Sequence, residues 1–181
     1  QYDGAVNVKW FGIFPDGTDY STEIQSAYDT LVSGDVLQFG KGEYLGYIQC
    51  LTNNTTIKGM GSEHTTLKIP NGKIKTTIDE AGTGSISGVP TVIDLGELNR
   101  GNNAVVVNGM KVSGITLDGN KANTTVPTLD LFGWGLTQTK HSNFHISDVK
   151  IKDCHNGGIG TFINSNYGYI EVNVENCDGI Q

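Results

Sequence analysis

Val149-Lys-Ile-Lys-Asp-Cys-His155 and Val172-Asn-Val-Glu-Asn-Cys-Asp178 are two versions of one segment, 23 residues apart. In both, β-branched residues alternate with polar ones, and Asp or Asn precedes a cysteine. A period of about 20–29 residues with this alternation, broken by Asn, Asp and Gly, is typical of solenoids. We therefore predict that each segment belongs to one coil of a parallel β-helix with coils about 4.8 Å apart. Equivalent outward side chains would form ladders along one face, a surface suited to long repetitive ligands.

The composition agrees with short strands and tight turns, because 181 residues include 25 glycines and only 4 prolines. The net charge of −7 argues against nucleic acid or an anionic membrane as a partner. No apolar run is long enough to insert into a membrane. Cys50, Cys154 and Cys177 lack zinc-site spacing, so no metal site is predicted. We interpret Cys154 and Cys177 as stacked inward core residues, although a bridge between them stays open.

One amphipathic helix is predicted at roughly 22–32, with Ser21 or Thr22 as its N-cap. Its apolar stripe consists of Ile24, Ala27, Tyr28 and Leu31. A solitary helix before a solenoid is expected to cover the open first coil. Residues 1–34 are therefore assigned to a first strand at Val6–Phe11 and this capping helix, and residues 35–181 to the coils.

Short strands broken by Gly, Asn and Ser fill the rest of the chain. We predict them at Asp35–Phe39, Tyr44–Cys50, Thr55–Lys58, Thr66–Ile69, Ala104–Val107 and Val112–Leu117. Residues 70–103 are interpreted as a lateral excursion with one strand at Thr91–Leu95. Ile115 aligns with Val149 at 34 residues, and the excess lies in a loop, Asp118–Gly133. Since no cap follows the last coil, we expect the chain to be the N-terminal piece of a longer β-helix.

The opening of the chain resembles a known family. The matching segments are Val8-Lys-Trp-Phe-Gly12, Asp16-Gly-Thr-Asp19, Ser21-Thr-Glu-Ile-Gln25, Gly34-Asp-Val-Leu-Gln-Phe39 and Gly42-Glu-Tyr44. Together they are similar to the start of the pectate-lyase-like β-helix superfamily, and Thr56–Gly61 and Ile115–Asn120 fit its later coils. Tyr20 and Gly40 depart from the family pattern, which has an acidic residue and a proline there. The resemblance implies an all-β solenoid, a single-stranded right-handed parallel β-helix with an N-terminal capping α-helix.

The same resemblance suggests a function. The superfamily includes phage tailspikes, polygalacturonases, pectate lyases and alginate epimerases. The Asn-Thr-Asp, Asp-Asp and Gly-His-Gly motifs of polygalacturonases and the Asp-Pro-His motif of the epimerases are absent. The expected function is therefore that of a tail appendage or tailspike on the virion tail, a homotrimer that binds and hydrolyses host-surface polysaccharide without a cofactor. The alternatives are a secreted polysaccharide lyase or uronate epimerase, with Ca²⁺ in the lyase case, and a non-catalytic structural or adhesion module.

Three residues on the aligned coils are candidates for catalysis. If Cys154 and Cys177 face inward, His155 and Asp178 face outward as stacked neighbours, so the carboxylate could orient the imidazole for acid–base work. Asp153 near Asp178 could supply the paired carboxylates of a glycoside hydrolase. The structural alternatives are that Asp153 and Asn176 serve as turn residues, and that His155 and Asp178 form a solvated ladder.

Two further sets are candidates for substrate binding. In the loop 118–134, aromatic faces and polar groups suited to sugars come from Asn120, Lys121, Asp130, Phe132 and Trp134. The alternative is that the two aromatic residues fasten the loop to the coil. Lys150 and Lys152, beside Asn173 and Glu175, could neutralise a uronate or could belong to a mixed-charge solvated face. His141 and His145 are interpreted as ordinary strand residues.

Overall fold

The computed structural model describes residues 4–78, 85–96, 106–125, 133–139, 141–162 and 166–178. One α-helix is found in these ranges, α1 at Ser21–Asp29, with 3₁₀ turns at Val8–Phe11 and Lys121–Asn123. The strands are β1 Ala5–Asn7, β2 Val36–Gln38, β3 Gly42–Leu45, β4 Ile48–Cys50, β5 Thr56–Lys58, β6 Thr65–Lys68, β7 Lys75–Ile78, β8 Ser85–Gly88, β9 Ile93–Leu95, β10 Val107–Asn108, β11 Lys111–Asp118, β12 Leu136–Thr139, β13 His141–Lys152, β14 Ile159–Phe162 and β15 Asn166–Glu175.

Parallel pairing dominates the architecture. The larger sheet contains nine strands and runs β1-β2-β5-β11-β13-β15, with β3 and β6 joining beside β11 and β10 beside β13. A second parallel sheet has the order β14-β12-β9-β4, and β7 and β8 form an antiparallel hairpin. Successive passes of the chain therefore lie side by side in the same direction, as predicted from the repeated segments.

The register confirms both sequence spacings. Val149 pairs with Val172 across β13 and β15, and Ile115 pairs with Val149 across β11 and β13. The long strands contain residues in the left-handed region, Gly114 with φ of 64° in β11 and Asp148 with φ of 49° in β13. The pairing of β13 with β15 shifts register between Ile146 and Val149, next to Asp148. These positions interrupt the extended conformation of the two strands.

Inward side chains of successive passes stack into apolar columns, aliphatic except for Tyr44. One column consists of Leu37, Ile57, Val112 and Ile146, and another of Tyr44, Leu67, Leu117 and Ile151. All eight are fully buried. Because neighbouring strands are about 4.8 Å apart, each inward side chain packs on its equivalents above and below, and alternation along the strand sends the intervening residues to the surface.

The helix differs from the prediction at both ends. Its first residue is Ser21, and neither Ser21 nor Thr22 is the N-cap, because the Asp19 carboxylate accepts the Ser21 backbone N–H at 3.0 Å. The helix ends at Asp29, where the backbone tightens and Leu31 N donates to Tyr28 O. The predicted stripe is buried as expected, with Ile24 and Ala27 completely covered.

Three strand predictions differ from the structure. Residues 8–11 form a 3₁₀ turn instead of extending the first strand, since the Asn7 side chain accepts from Lys9 N and Gly12 adopts φ of 73°. The segment 70–103 contains the hairpin β7–β8 besides β9, where only one strand was expected. The predicted strand Tyr44–Cys50 is divided into β3 and β4, which belong to different sheets.

No helix in the described ranges is long and apolar enough to span a membrane.

Candidate functional site

The corner after β13 and β15 holds the predicted catalytic aspartate. Asp153 and Asn176 directly follow these strands and adopt φ of 52° and 51°. The Asn176 side-chain amide donates to the Asp153 carboxylate, and Lys152 Nζ lies 3.6 Å from that carboxylate. Asn and Asp tolerate the left-handed conformation better than most residues. These contacts are those of turn residues that stack from one pass to the next.

His155 and Asp178 have separate partners. His155 Nε2 lies 2.9 Å from the Thr124 hydroxyl and 3.0 Å from the Thr124 carbonyl oxygen. Asp178 forms an ion pair with Lys121 at 2.8 Å. Within the described part of the chain no hydrogen bond or ion pair joins His155 to Asp178, since each is bonded to a residue of the segment 121–124. The predicted imidazole–carboxylate contact is therefore not formed.

The predicted binding loop is tied into the same corner. Asn120 is buried, and its Nδ2 donates at 2.8 Å to both Ile69 O and the Asn71 side chain. Lys121 Nζ also donates to Asn176 O at 2.9 Å. Trp134 is half-buried and its carbonyl accepts from Val92 N. The other two members of the predicted set, Asp130 and Phe132, lie outside the described residues.

Lys150 and Lys152 face Asn173 and Glu175 in register, as predicted. Both ammonium groups are already paired, Lys150 with Glu175 at 3.0 Å and Lys152 with Asp118 at 3.0 Å. Burial tends to lower the pKa of Lys152, but the bonds to Asp118 and Asp153 outweigh it and the pKa is raised. The arrangement matches the mixed-charge face considered from the sequence.

A groove that the sequence did not reveal crosses β13 and β15. Its volume is about 310 Å³, and it is lined by Ser62, Glu63, Asp148, Val149, Lys150, Glu171, Val172 and Asn173. Ser62 and Glu63 come from the loop after β5, which the Thr116 hydroxyl holds by donating to Ser62 O at 2.7 Å. The Ser62 hydroxyl in turn donates to Asp148 at 2.6 Å. The groove thus combines side chains from three separate parts of the chain.

An aromatic pair lies beside this groove. The Tyr169 ring is stacked on His145 with centroids 4.9 Å apart and an interplanar angle of 19°. Tyr169 is 51% exposed, and its hydroxyl donates to Glu171 Oε2 at 3.1 Å, which raises the pKa of the phenol. An exposed ring face next to carboxylate and amide groups is able to hold a sugar, with the ring against C–H groups and the polar groups on hydroxyls.

The repeat spacing does not predict the pairing of His145 with Tyr169. A constant spacing of 23 residues would place His145 opposite Gly168, whereas the structure pairs His145 with Tyr169. The extra residue in β13 is accommodated at Asp148, whose left-handed conformation is that of a bulge. An Asp in the middle of an alternating strand was the available sequence signal.

A second depression, about 480 Å³, lies between α1 and β4. Its polar lining is used to attach the helix, because Gln25 bonds to both Gln49 N at 2.8 Å and Gln49 O at 3.0 Å. Among the described residues no group of three or more His, Cys, Asp or Glu side chains is arranged to hold a metal ion. The groove beside Tyr169 is therefore the better candidate site.

Comparison with known proteins identifies the fold. No protein-family model and no curated protein matches the sequence. Among solved structures, ORF18 of Geobacillus virus E2 matches 86% of this chain with a TM-score of 0.62 and 22% identity. A Parabacteroides merdae protein described as a glycosyl hydrolase matches 94% with a TM-score of 0.68 and 18% identity. The chain has the fold of parallel β-helix proteins.

A third structure of this kind is the A-module of mannuronan C-5 epimerase AlgE6 from Azotobacter vinelandii. It matches 92% of the chain with a TM-score of 0.60 and 21% identity. The chain spans 27% of the length of the viral protein, 74% of the Parabacteroides protein and 41% of the epimerase module.

Proposed function

We propose that this chain is the β-helical part of a phage tail appendage that binds and hydrolyses polysaccharide on the host surface. In this proposal the passes of the chain form complete right-handed coils, α1 caps the first coil, and three copies assemble on the virion tail. Support comes from the viral origin of one similar structure and the carbohydrate chemistry named for two others. The opening motifs described above agree with it.

The observation that carries the proposal is the groove beside the Tyr169 stack. Outward positions in register form a continuous row across five strands, Val36, Thr56, Lys111, His145 and Tyr169. A polymer chain laid along such a row meets one protein side chain about every 4.8 Å, a spacing close to one sugar unit. The groove offers a polar channel of about 310 Å³ next to that row.

Hydrolysis is assigned to Asp148 and Glu171 instead of the corner residues. Both line the groove, and they come from neighbouring paired strands. Residues in register on adjacent strands are roughly 5 Å apart, and Asp148 and Glu171 lie beside each other at the register shift between β13 and β15. We assign their carboxyl groups the short separation used by retaining glycosidases. One carboxylic acid would protonate the glycosidic oxygen as the other carboxylate attacks the anomeric carbon, which breaks the glycosidic bond and leaves a glycosyl ester. Water, deprotonated by the first carboxylate, would then release the sugar and restore both groups. The corner trio, Asp153, His155 and Asp178, is the rival location for this chemistry.

The lyase and epimerase alternatives gain no support from the two lysines predicted to neutralise a uronate. Removal of a proton from a uronate requires a cation to neutralise the substrate carboxylate. Lys150 and Lys152 are each engaged by protein carboxylates at 3.0 Å. Hydrolysis needs no such cation and uses side chains that line the groove.

The proposal is tested by incubating the protein with a panel of polysaccharides from bacterial surfaces and measuring both binding and new reducing ends. Glu171→Gln should abolish reducing-end release while binding persists, because the amide cannot act as acid or nucleophile. Asp178→Asn should retain activity. Loss of activity in Asp178→Asn alone would move the chemistry to the corner, and binding without any product would leave an adhesion module.

A further inference from the structure

The charge of the groove selects its ligand. Glu63, Asp148 and Glu171 supply three carboxylates to the lining, and Lys150 supplies its single cation. That cation is bonded to Glu175, which lies outside the lining, at 3.0 Å. Among the residues that the structure describes, no cation forms an ion pair with the three groove carboxylates. In the described part of the chain, the lining thus sets three carboxylates against one ammonium group and is net negative.

The hydrogen-bonding character points the same way. Ionised carboxylates only accept hydrogen bonds, whereas sugar hydroxyl and ammonium groups donate them. Three acceptor oxygens already have protein donors: Ser62 donates its hydroxyl and its backbone N–H to the two oxygens of Asp148, and the Tyr169 hydroxyl donates to Glu171. Each carboxylate keeps further lone pairs. The remaining acceptors have to be satisfied by donors of the ligand when water is displaced.

The aromatic surface is an independent feature. Tyr169 and His145 give a flat face whose electron-rich side attracts C–H and cationic groups. Within the described ranges, this face and the acidic groove border one another through the Tyr169–Glu171 bond. A ligand that spans both needs an apolar ring surface and donor groups. Neutral, amino and acidic sugars all have these groups, but a polyuronate also brings a carboxylate at each unit, which the groove carboxylates repel.

We propose that the groove selects glycans without acidic groups, prefers those bearing free amines, and rejects polyuronates. This inference rests on the proposed function, because it specifies the substrate class of the same site. The proposed ligand preference differs from that of the mannuronan epimerase with the same fold, because the substrate named for that enzyme is a uronate polymer.

The experiment compares three oligosaccharide series of equal length by calorimetry in buffer free of divalent cations: glucosamine oligomers, N-acetylglucosamine oligomers and galacturonate oligomers. We expect the amine series to bind best, the neutral series next, and the acidic series at least about tenfold more weakly than the neutral one. Glu171→Gln combined with Asp148→Asn should reduce that difference. Glu23→Gln is the matched control, since it removes the same kind of charge from an exposed position on α1.

The outcomes are distinguishable. If the acidic series binds as well as the neutral one, and Tyr169→Ala weakens it, the site is a glycan site but the charge selection is wrong. If Glu23→Gln weakens amine binding as much as the double variant does, the preference reflects overall protein charge and the inference is refuted. If no series binds, and no surface polysaccharide binds either, the proposed function fails and the inference falls with it.

Discussion

Acidification should destabilise this fold through His141. The side chain is completely buried at the start of β13, opposite Val107 and 5.6 Å from the Phe144 ring. Burial lowers the pKa of His141 from 6.5 to about 4. Because the pKa is lower in the folded state, the unfolded chain binds the proton more tightly. The free energy of unfolding is therefore highest above pH 6.5 and falls as the pH drops toward 4. The loss should reach about 2 kcal/mol near pH 5 and about 3 kcal/mol near pH 4.

The assay is urea unfolding at about pH 7.5 and about pH 5, with His141→Gln as the variant that cannot take up the proton. The wild-type free energy of unfolding should fall by about 2 kcal/mol between these conditions, and that of the variant by much less. The pKa of Asp16 is lowered chiefly by the Thr18 backbone bond, and that of Asp19, despite burial, by bonds to Ser21 and Lys73. Protonation of these two carboxylates changes the free energy of unfolding mainly below pH 4. Equal losses in wild type and variant would refute the assignment to His141.

Two further substitutions test the packing of the corners. Gly59→Ala should lower the free energy of unfolding by about 3 kcal/mol or prevent folding, because the added Cβ would collide with the backbone carbonyl of Gly114. Denaturant unfolding measures the change, and a loss below about 1 kcal/mol would contradict the close approach of the two backbones. Asp118→Ala should cost about 2–3 kcal/mol, since it removes both the partner of Lys152 and the acceptor of Asn120 N. Asp118→Asn keeps an acceptor and should cost less; equal losses would show that the turn bond contributes little.

The sequence was sufficient for the pairing of the later strands. Val149 and Val172 carry the same alternation, and a slip of one residue would place polar residues of β15 beside the inward residues of β13. The helix stripe was predictable for the same reason, because Ile24 and Tyr28 repeat at helical spacing and are buried. The start of that helix could not be predicted in the same way, because the Asp19 side chain competes with Ser21 for the capping role.

The groove could not be predicted from the sequence. Its wall is made by a contact between Ser62 and Asp148, 86 residues apart, and no periodicity links the two positions. The bulge at Asp148 also shifts the upstream register by one residue, so Tyr169 is brought to His145. At the corner, the structural alternative of stacked turn residues is found for Asp153 and Asn176, whereas Asp178 is paired with Lys121 and not with His155.

The central claim is that glycans bind in the groove beside Tyr169 and not at the corner after β13. Amide chemical-shift mapping by NMR spectroscopy, with a neutral oligosaccharide titrated into the protein, tests it most directly. The account predicts shifts at residues 62–63, 148–150 and 169–173, with little change at 118–124, 153–155 and 176–178. Shifts concentrated at Lys121, His155 and Asp178, with the Tyr169 region unchanged, would contradict it.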